Sequence, residues 1–243
     1  MHRLLVEPAS LALDAVTLSR EAGRHLCVLR PKPGEAIELF DGCGATREYR
    51  CPATNGAPLV ASAPLCRHPR REPGLTLFAC VTKGSRWDWT IEKATELGVS
   101  RIVPVISART IVRISADERE AKAERWRRVA ADAARQSDAC WLPEIVAPVD
   151  FAASLDLVRS CDCLVGALVQ PPAPPILDVV RELGRGARPR AVYVGPEGDF
   201  TPDELAALIA LARPVSFGPT ILRAETAAIF AVSVLAAEEA SRG

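Results

Sequence analysis

The period of the hydrophobic positions changes near residue 73. Before that point apolar residues come in short, turn-punctuated runs: Ala36-Ile-Glu-Leu-Phe40 alternates as a half-buried strand does, Asp41-Gly42 and Gly44 mark a turn after it, and Asn55-Gly56 marks another. Pro52, Pro58, Pro64, Pro69 and Pro73 leave little room for helix, because proline has no amide to donate and clashes with the preceding turn. The pattern predicts a small β domain over residues 1–72, bounded by the polar, proline-flanked run Arg67–Pro73.

Beyond the boundary, strand-like and helix-like runs alternate. Leu75-Thr-Leu-Phe-Ala-Cys-Val-Thr82 has the continuous apolar character of a buried strand. Ser85 is placed to cap a helix through Leu97 that Gly98 ends, with Trp87, Ile91, Ala94 and Leu97 at helical spacing. Arg101–Ser107 reads as a second strand and about 116–137 as a long, charged helix; Cys161–Val169, Arg190–Val194 and Val215–Phe217 read as further strands. Thr201, Pro202 and Glu204 have the spacing of a capping box with proline at the first helical position. A final helix over about 223–241 is apolar nearly all round, which predicts that it is buried or packed on a partner subunit. The alternation predicts an α/β domain with a mainly parallel sheet over residues 73–243.

Composition narrows the classes. At 243 residues, with 49% apolar and 25% charged content, the chain is neither disordered nor collagen-like. Thirty basic side chains balance thirty acidic ones, which argues against a uniformly basic nucleic-acid binder. A local patch remains: residues 101–128 hold eight basic side chains against four acidic ones, a pattern that suits either a solvated helix face or an RNA surface. The uncharged runs Cys163–Leu177, broken by four prolines, and Thr226–Ala237 are too short to span a bilayer, and the N-terminus has no apolar core of a secretory signal. The expectation is a cytoplasmic protein without membrane association. Its eight cysteines are then expected to be reduced, and with no paired CxxC spacing and no zinc-like arrangement of His2, His25 and His68, no metal site is expected.

Open α/β sheets place ligands beyond the carboxyl ends of their strands. Two loops qualify. Val194-Gly-Pro-Glu-Gly-Asp-Phe200 runs from a strand into two glycines that let a ligand approach the backbone, although a plain strand-to-helix turn has the same composition. Phe217-Gly-Pro-Thr-Ile-Leu-Arg-Ala-Glu-Thr-Ala227 leads into the last helix. There Glu225 suits the positive helix terminus, whereas Arg223 opposes it and so points to a functional role or a salt bridge. Neither loop is GxGxxG and no GxxxxGK[ST] occurs, which disfavours a nicotinamide-dependent dehydrogenase.

Taken together, His25-Leu-Cys-Val-Leu-Arg30, Phe40-Asp-Gly42, Lys83-Gly84, Ile91-Glu-Lys-Ala-Thr-Glu-Leu-Gly98, Arg125-Trp126, Gln136-Ser137, Pro143-Glu-Ile145, Gly195-Pro-Glu-Gly198 and Ile221-Leu-Arg-Ala-Glu-Thr-Ala227 resemble, in order and spacing, the bacterial 16S rRNA (uracil-N3)-methyltransferases of the SPOUT class. The resemblance implies an N-terminal PUA-like β-barrel that holds RNA, followed by an α/β domain tied in a trefoil knot. It implies S-adenosyl-L-methionine as cofactor and a homodimer with active sites at the subunit interface. Carried over, the cofactor pocket comprises Leu168, Gly195, Pro196, Glu197, Gly198, Phe217, Gly218, Ile221, Leu222 and Ala227; Arg223, Glu225 and Glu197 are the catalytic candidates, and Arg30, Lys83, Glu92, Arg125 and Gln136 the RNA-binding ones. The chain departs from the family pattern at Arg135, Ala139, Asp199 and Ala224. The implied function is methylation of N3 of one uridine of 16S rRNA in the small ribosomal subunit; the alternative is an RNA-binding or ribosome-assembly factor of the same fold with weak or absent catalysis.

Overall fold

Residues 1–54, 56–184 and 186–241 are described by a computed structural model, in which the chain divides into two units. The first unites residues 1–70 with 131–142, the second 71–130 with 143–243.

The first unit contains β1 (His2–Leu5), β2 (Ala15–Val16), α1 (Arg20–Leu29), β3 (Ala36–Phe40), β4 (Ala45–Arg50), β5 (Leu59–Ala61) and β6 (Cys66–Arg67). Its strands pair in the order β1-β3-β4-β5-β2, with β6 also on β4; β1 runs parallel to β3 and the other pairs are antiparallel. Among the described residues this path is open rather than a closed barrel, since no ladder joins β1 to β2; a two-residue β2 is also too short to carry the staggered register that closure demands. Leu4, Leu11, Val16, Ile37, Leu39, Tyr49 and Leu59 form its core.

α1 corrects the expectation that prolines exclude helix here. It occupies the proline-free stretch between Pro8 and Pro31, and the Ser19 side chain caps it by accepting from the Ala22 amide at 3.2 Å. The Asn55-Gly56 turn lies outside the described residues at Asn55. The Gly42 and Gly44 turn has a reason that local patterning does not reveal. Both have positive φ (70° and 90°), and a Cβ on Gly44 would lie 2.4 Å from the Trp141 ring and one on Gly42 2.6 Å from Leu142. The segment after residue 130 therefore belongs with these strands. Buried Arg3 fastens it there, donating to the Ala134 carbonyl at 3.0 Å and the Ala139 carbonyl at 3.2 Å, with Glu38 as its counter-charge at 2.5 Å.

The second unit runs through β7 (Leu75–Cys80), α2 (Ser85–Glu96), β8 (Arg101–Ile106), α3 (Arg119–Gln136, whose end from Ala131 counts with the first unit), β9 (Glu144–Ile145), β10 (Val149–Asp150), α4 (Phe151–Val158), β11 (Asp162–Gly166), α5 (Ile176–Leu183), β12 (Arg190–Val194), α6 (Pro202–Ile209), β13 (Arg213–Val215) and α7 (Ala224–Ala240). Strand order is β10-β8-β7-β12-β11-β13, with β9 also on β8, and every pairing is parallel among the described residues. All six residues of β7 are buried because helices cover both faces. Its odd positions Leu75, Leu77, Ala79 join α2, α5 and α7, while its even positions Phe78 and Cys80 join α4 and α6. The last helix, predicted to be buried or on a partner, buries Ala227, Ala228, Ala231, Val232 and Leu235 in the first of these clusters and leaves Phe230 39% exposed.

Several boundaries move. Gly84, at φ +65°, rather than Ser85, is the N-cap of α2, and Gly98 ends that helix at φ +78° as expected. The capping box of α6 is complete: the Glu204 amide donates to Thr201 Oγ1 at 3.2 Å and the Thr201 amide to Glu204 Oε2 at 3.0 Å. α4 and α5 lie in stretches whose patterning predicts no element, and β11 stops at Gly166, short of the predicted Val169.

Burial sorts the thiols. Cys27, Cys43 and Cys66 are exposed, whereas Cys51, Cys80, Cys161 and Cys163 are buried, and burial pushes the Cys80 thiol up to about 12 and the Cys163 thiol up as well. At pH 8 a thiol-reactive reagent is expected to modify the three exposed cysteines in the native protein and the four buried ones only after denaturation. Equal reactivity of all eight would contradict this packing.

Candidate functional site

Because β7, β12, β11 and β13 are parallel neighbours, the loops after them emerge along one edge of the sheet. The chain leaves β7 toward β8 on one side and leaves β12 toward β13 on the other, so the connections diverge and open a crevice between β7 and β12. The segments there are Val81–Gly84, Ala167–Leu168, Gly195–Thr201 and Ser216–Arg223.

Glycines in these loops are places where rings sit on backbone. A Cβ on Gly166 would lie 2.3 Å from the Phe217 ring, and one on Gly195 would lie 2.9 Å from the Phe200 ring. Phe217 packs edge-on against Phe230 with centroids 6.0 Å apart, and Phe200 packs against Tyr193 at 5.6 Å. Below them Tyr193 shares a buried 2.7 Å hydrogen bond with Ser154, and burial raises its phenol. The loop after β12 is held from the neighbouring connection, where Arg109 Nη1 donates to the Gly198 carbonyl at 2.9 Å and the Ala108 amide donates to Glu204 Oε1 at 2.8 Å. Asp199, one of the departures from the family pattern, takes φ +58° and accepts the Phe200 amide at 2.7 Å, a left-handed turn that aspartate tolerates.

The predicted cofactor residues thus gather on one edge. Leu168 and Ile221, 70% and 83% exposed, present apolar surface to solvent; Gly195–Gly198 and Phe217–Gly218 present backbone; Ala227 is buried in α7. Gly218 has φ +119°, and its amide donates to Ser216 Oγ at 3.2 Å.

Arg223 is the N-cap of α7 rather than a residue of its first turn. Its backbone is extended, its carbonyl accepts the Ala227 amide at 2.8 Å, and its side chain is exposed without an ion-pair partner among the described residues. Glu225 and Glu197 come together at a residue not singled out by the sequence. Arg86, in the first turn of α2, has Nη1 3.8 Å from Glu197 Oε1 and Nε 3.7 Å from Glu225 Oε1. Arg86 opposes the helix dipole just as Arg223 does, and that was the signal available in the sequence.

The RNA-binding candidates are divided between the units. In the second, Lys83 is exposed after β7; Glu92 accepts from Lys93 at 2.7 Å; Arg125 makes a two-pronged ion pair with Asp88, one contact at 2.7 Å. In the first, Arg30 is exposed in a left-handed conformation at the end of α1, and Gln136 is exposed at the end of α3. Arg135, one of the departures from the family pattern, makes a local ion pair with Asp132, and burial lowers its guanidinium. No group of three or more metal-ligating side chains occurs among the described residues, and no helix among them is long and apolar enough to cross a membrane.

Residues 70–236 match the model of the RNA methyltransferase domain. The chain is 31% identical over 236 residues to ribosomal RNA small subunit methyltransferase E of Synechocystis, covering 96% of this chain and 76% of that protein, and 32% identical over 229 residues to the Mycobacterium tuberculosis protein of the same name, covering 91% and 85%. Among solved structures it is similar to Neisseria gonorrhoeae ribosomal RNA small subunit methyltransferase E bound to S-adenosyl methionine (TM-score 0.81, 28% identity, 97% of this chain and 96% of that one). It is also similar to a putative methyltransferase of Legionella pneumophila with its bound cofactor (TM-score 0.82, 27% identity, 97% of each chain).

The ring contact at Gly166 gives a direct test of the edge geometry. Gly166→Ala is expected to displace the Phe217 ring and to destabilise the fold by about 1–3 kcal/mol, read by urea unfolding. An unchanged unfolding midpoint would show that the ring does not rest on this backbone.

Proposed function

The chain belongs to the RNA methyltransferase domain family, among the ribosomal RNA small subunit methyltransferases E, and from this we propose that it transfers the methyl group of S-adenosyl-L-methionine to N3 of one uridine of 16S rRNA. The observation that carries the reading is the convergence of Gly195–Gly198, Phe217–Arg223 and Glu225 on the carboxyl-end crevice of a parallel sheet.

The residues present suit that cofactor. Exposed Leu168 and Ile221 offer apolar contact to an adenine ring, and Gly218 leaves its backbone clear of neighbouring side chains, whereas the Phe200 ring lies against Gly195 and Arg109 already bonds the Gly198 carbonyl. Pro196, Glu197, Phe217, Leu222 and Ala227 complete the pocket in this reading. When bound, the cofactor supplies a sulfonium methyl that is already strongly electrophilic, so the chain's task is alignment and exclusion of water.

Uracil N3 must lose its proton before or as it attacks. The exposed guanidinium of Arg223, without an ion-pair partner among the described residues, is suited to stabilise the negative charge that spreads onto the carbonyl oxygens. Glu225 or Glu197 takes the proton, being the carboxylates of the crevice. Since N3 lies on the pairing edge, the target base is unpaired or turned out of its helix. Lys83, Glu92, Arg125, Arg30 and Gln136 are assigned to RNA contact, with the first unit acting as a PUA-like RNA-holding module. The knotted threading, the homodimer with shared sites and the cytoplasmic location belong to the same reading; Phe230 and the other partly exposed apolar side chains of α7 suit a subunit contact.

The test is methyl transfer from labelled S-adenosyl-L-methionine to 30S subunits lacking the modification, with the modified nucleoside identified after digestion. Formation of 3-methyluridine is expected, and loss of about 10²-fold or more in kcat for Arg223→Ala with cofactor affinity retained. Cofactor binding without any transfer, or full turnover by Arg223→Ala, would overturn the reaction or the role of Arg223 respectively.

A further inference from the structure

We propose that Arg86 is a positioning residue of this site, its guanidinium holding the carboxylates of Glu197 and Glu225 in place across the crevice between the loop after β12 and the start of α7. The inference rests on the reading of those two glutamates as groups of the reacting site. Three observations lead to it. Arg86 is the second residue of α2, where a cation opposes the helix dipole, so no local helix energetics explains it. Its two contacts, 3.8 Å to Glu197 and 3.7 Å to Glu225, are within ion-pair range yet longer than hydrogen bonds, so one guanidinium serves as shared counter-charge to both acids instead of locking onto either. Glu225 has a side chain only 12% exposed, and its Oε2 is buried without a hydrogen-bond partner.

Burial of Glu225 makes the counter-charge matter. A desolvated carboxylate with an unsatisfied oxygen is costly unless a cation lies near, and a second carboxylate beside it adds repulsion. Arg86 offsets part of both costs at once, as counter-charge to each acid. It reaches the crevice from the β7 side, whereas Glu197 follows β12 and Glu225 opens α7, so three separate elements are drawn together by one side chain that is itself 49% exposed.

A purely structural tie and a positioning role make different predictions in a kinetic cycle. Arg86→Met is expected to lower kcat at least about tenfold while KM for the methyl donor and for 30S subunits changes less than about threefold. Arg86→Lys, which keeps the charge, should restore kcat to within about threefold of the unaltered chain, and in a background carrying both Glu197→Gln and Glu225→Gln, Arg86→Met should add less than about a twofold further loss. Should Arg86→Met unfold, Arg86→Gln is read in the same way. A loss confined to KM for the ribosomal subunit, a loss undiminished in the background carrying both Glu197→Gln and Glu225→Gln, or an unaltered kcat for Arg86→Met would each overturn the proposal. Full turnover by the double variant Glu197→Gln with Glu225→Gln, or no transfer by the unaltered chain, would instead overturn the parent reading. In that event the linkage is read from thermal unfolding, where losses in Tm from Arg86→Met and Glu225→Gln that fail to add support the contact and losses that add refute it.

Discussion

Parallel pairing of β7 with β12 is the constraint on which the site depends. Once the central strand of the sheet is flanked by β8 on one side and β12 on the other, the chain must leave β7 and β12 in opposite directions, and the gap between their loops cannot be filled by a connecting helix. Everything assigned to the chemistry lies around that gap: Arg86 after β7, Glu197 after β12, and Arg223 with Glu225 at the start of α7. The burial of β7 on both faces fixes the arrangement, since a slip of one residue would exchange Leu77 and Phe78 between two different packed layers.

Around the crevice the fold substitutes backbone and rings for elaborate side-chain machinery. Phe217 rests on Gly166 and Phe200 on Gly195, so the strand ends are rigid where a ligand would touch them. Arg109 and Glu204 hold the loop between β12 and α6 by bonds to backbone groups, which leaves Glu197 to face its partner Arg86. This division suits a transfer whose electrophile arrives already activated: placement matters more than a strong acid or base.

The α/β alternation and the positions of β7, α2, β8, β12 and α6 are legible in the sequence because each carries its own period, cap or continuous apolar run. The capping box at Thr201 and Glu204 is a local event that needs no tertiary knowledge. α5 is hidden although Ile176, Val179, Val180 and Leu183 have helical spacing, because the prolines just before it dominate the character of that stretch. The grouping of residues 131–142 with the first unit is not legible at all. It depends on Trp141 meeting Gly44, Leu142 meeting Gly42 and Arg3 reaching the carbonyls of Ala134 and Ala139, contacts between residues about a hundred positions apart. At the site, the loops and Arg223 are legible from glycines and a misplaced charge. Arg86 carries the same misplaced charge, but its partners lie far along the chain and only the fold brings them to it.

The proposed function requires the loops beyond β7, β11, β12 and β13 to form one cofactor site. Amide hydrogen exchange with and without S-adenosyl-L-methionine tests it most directly. Added protection is expected at residues 166–168, 195–200 and 216–224, with the strands of the first unit unchanged. Protection confined to the first unit, or spread evenly over the chain, would contradict it.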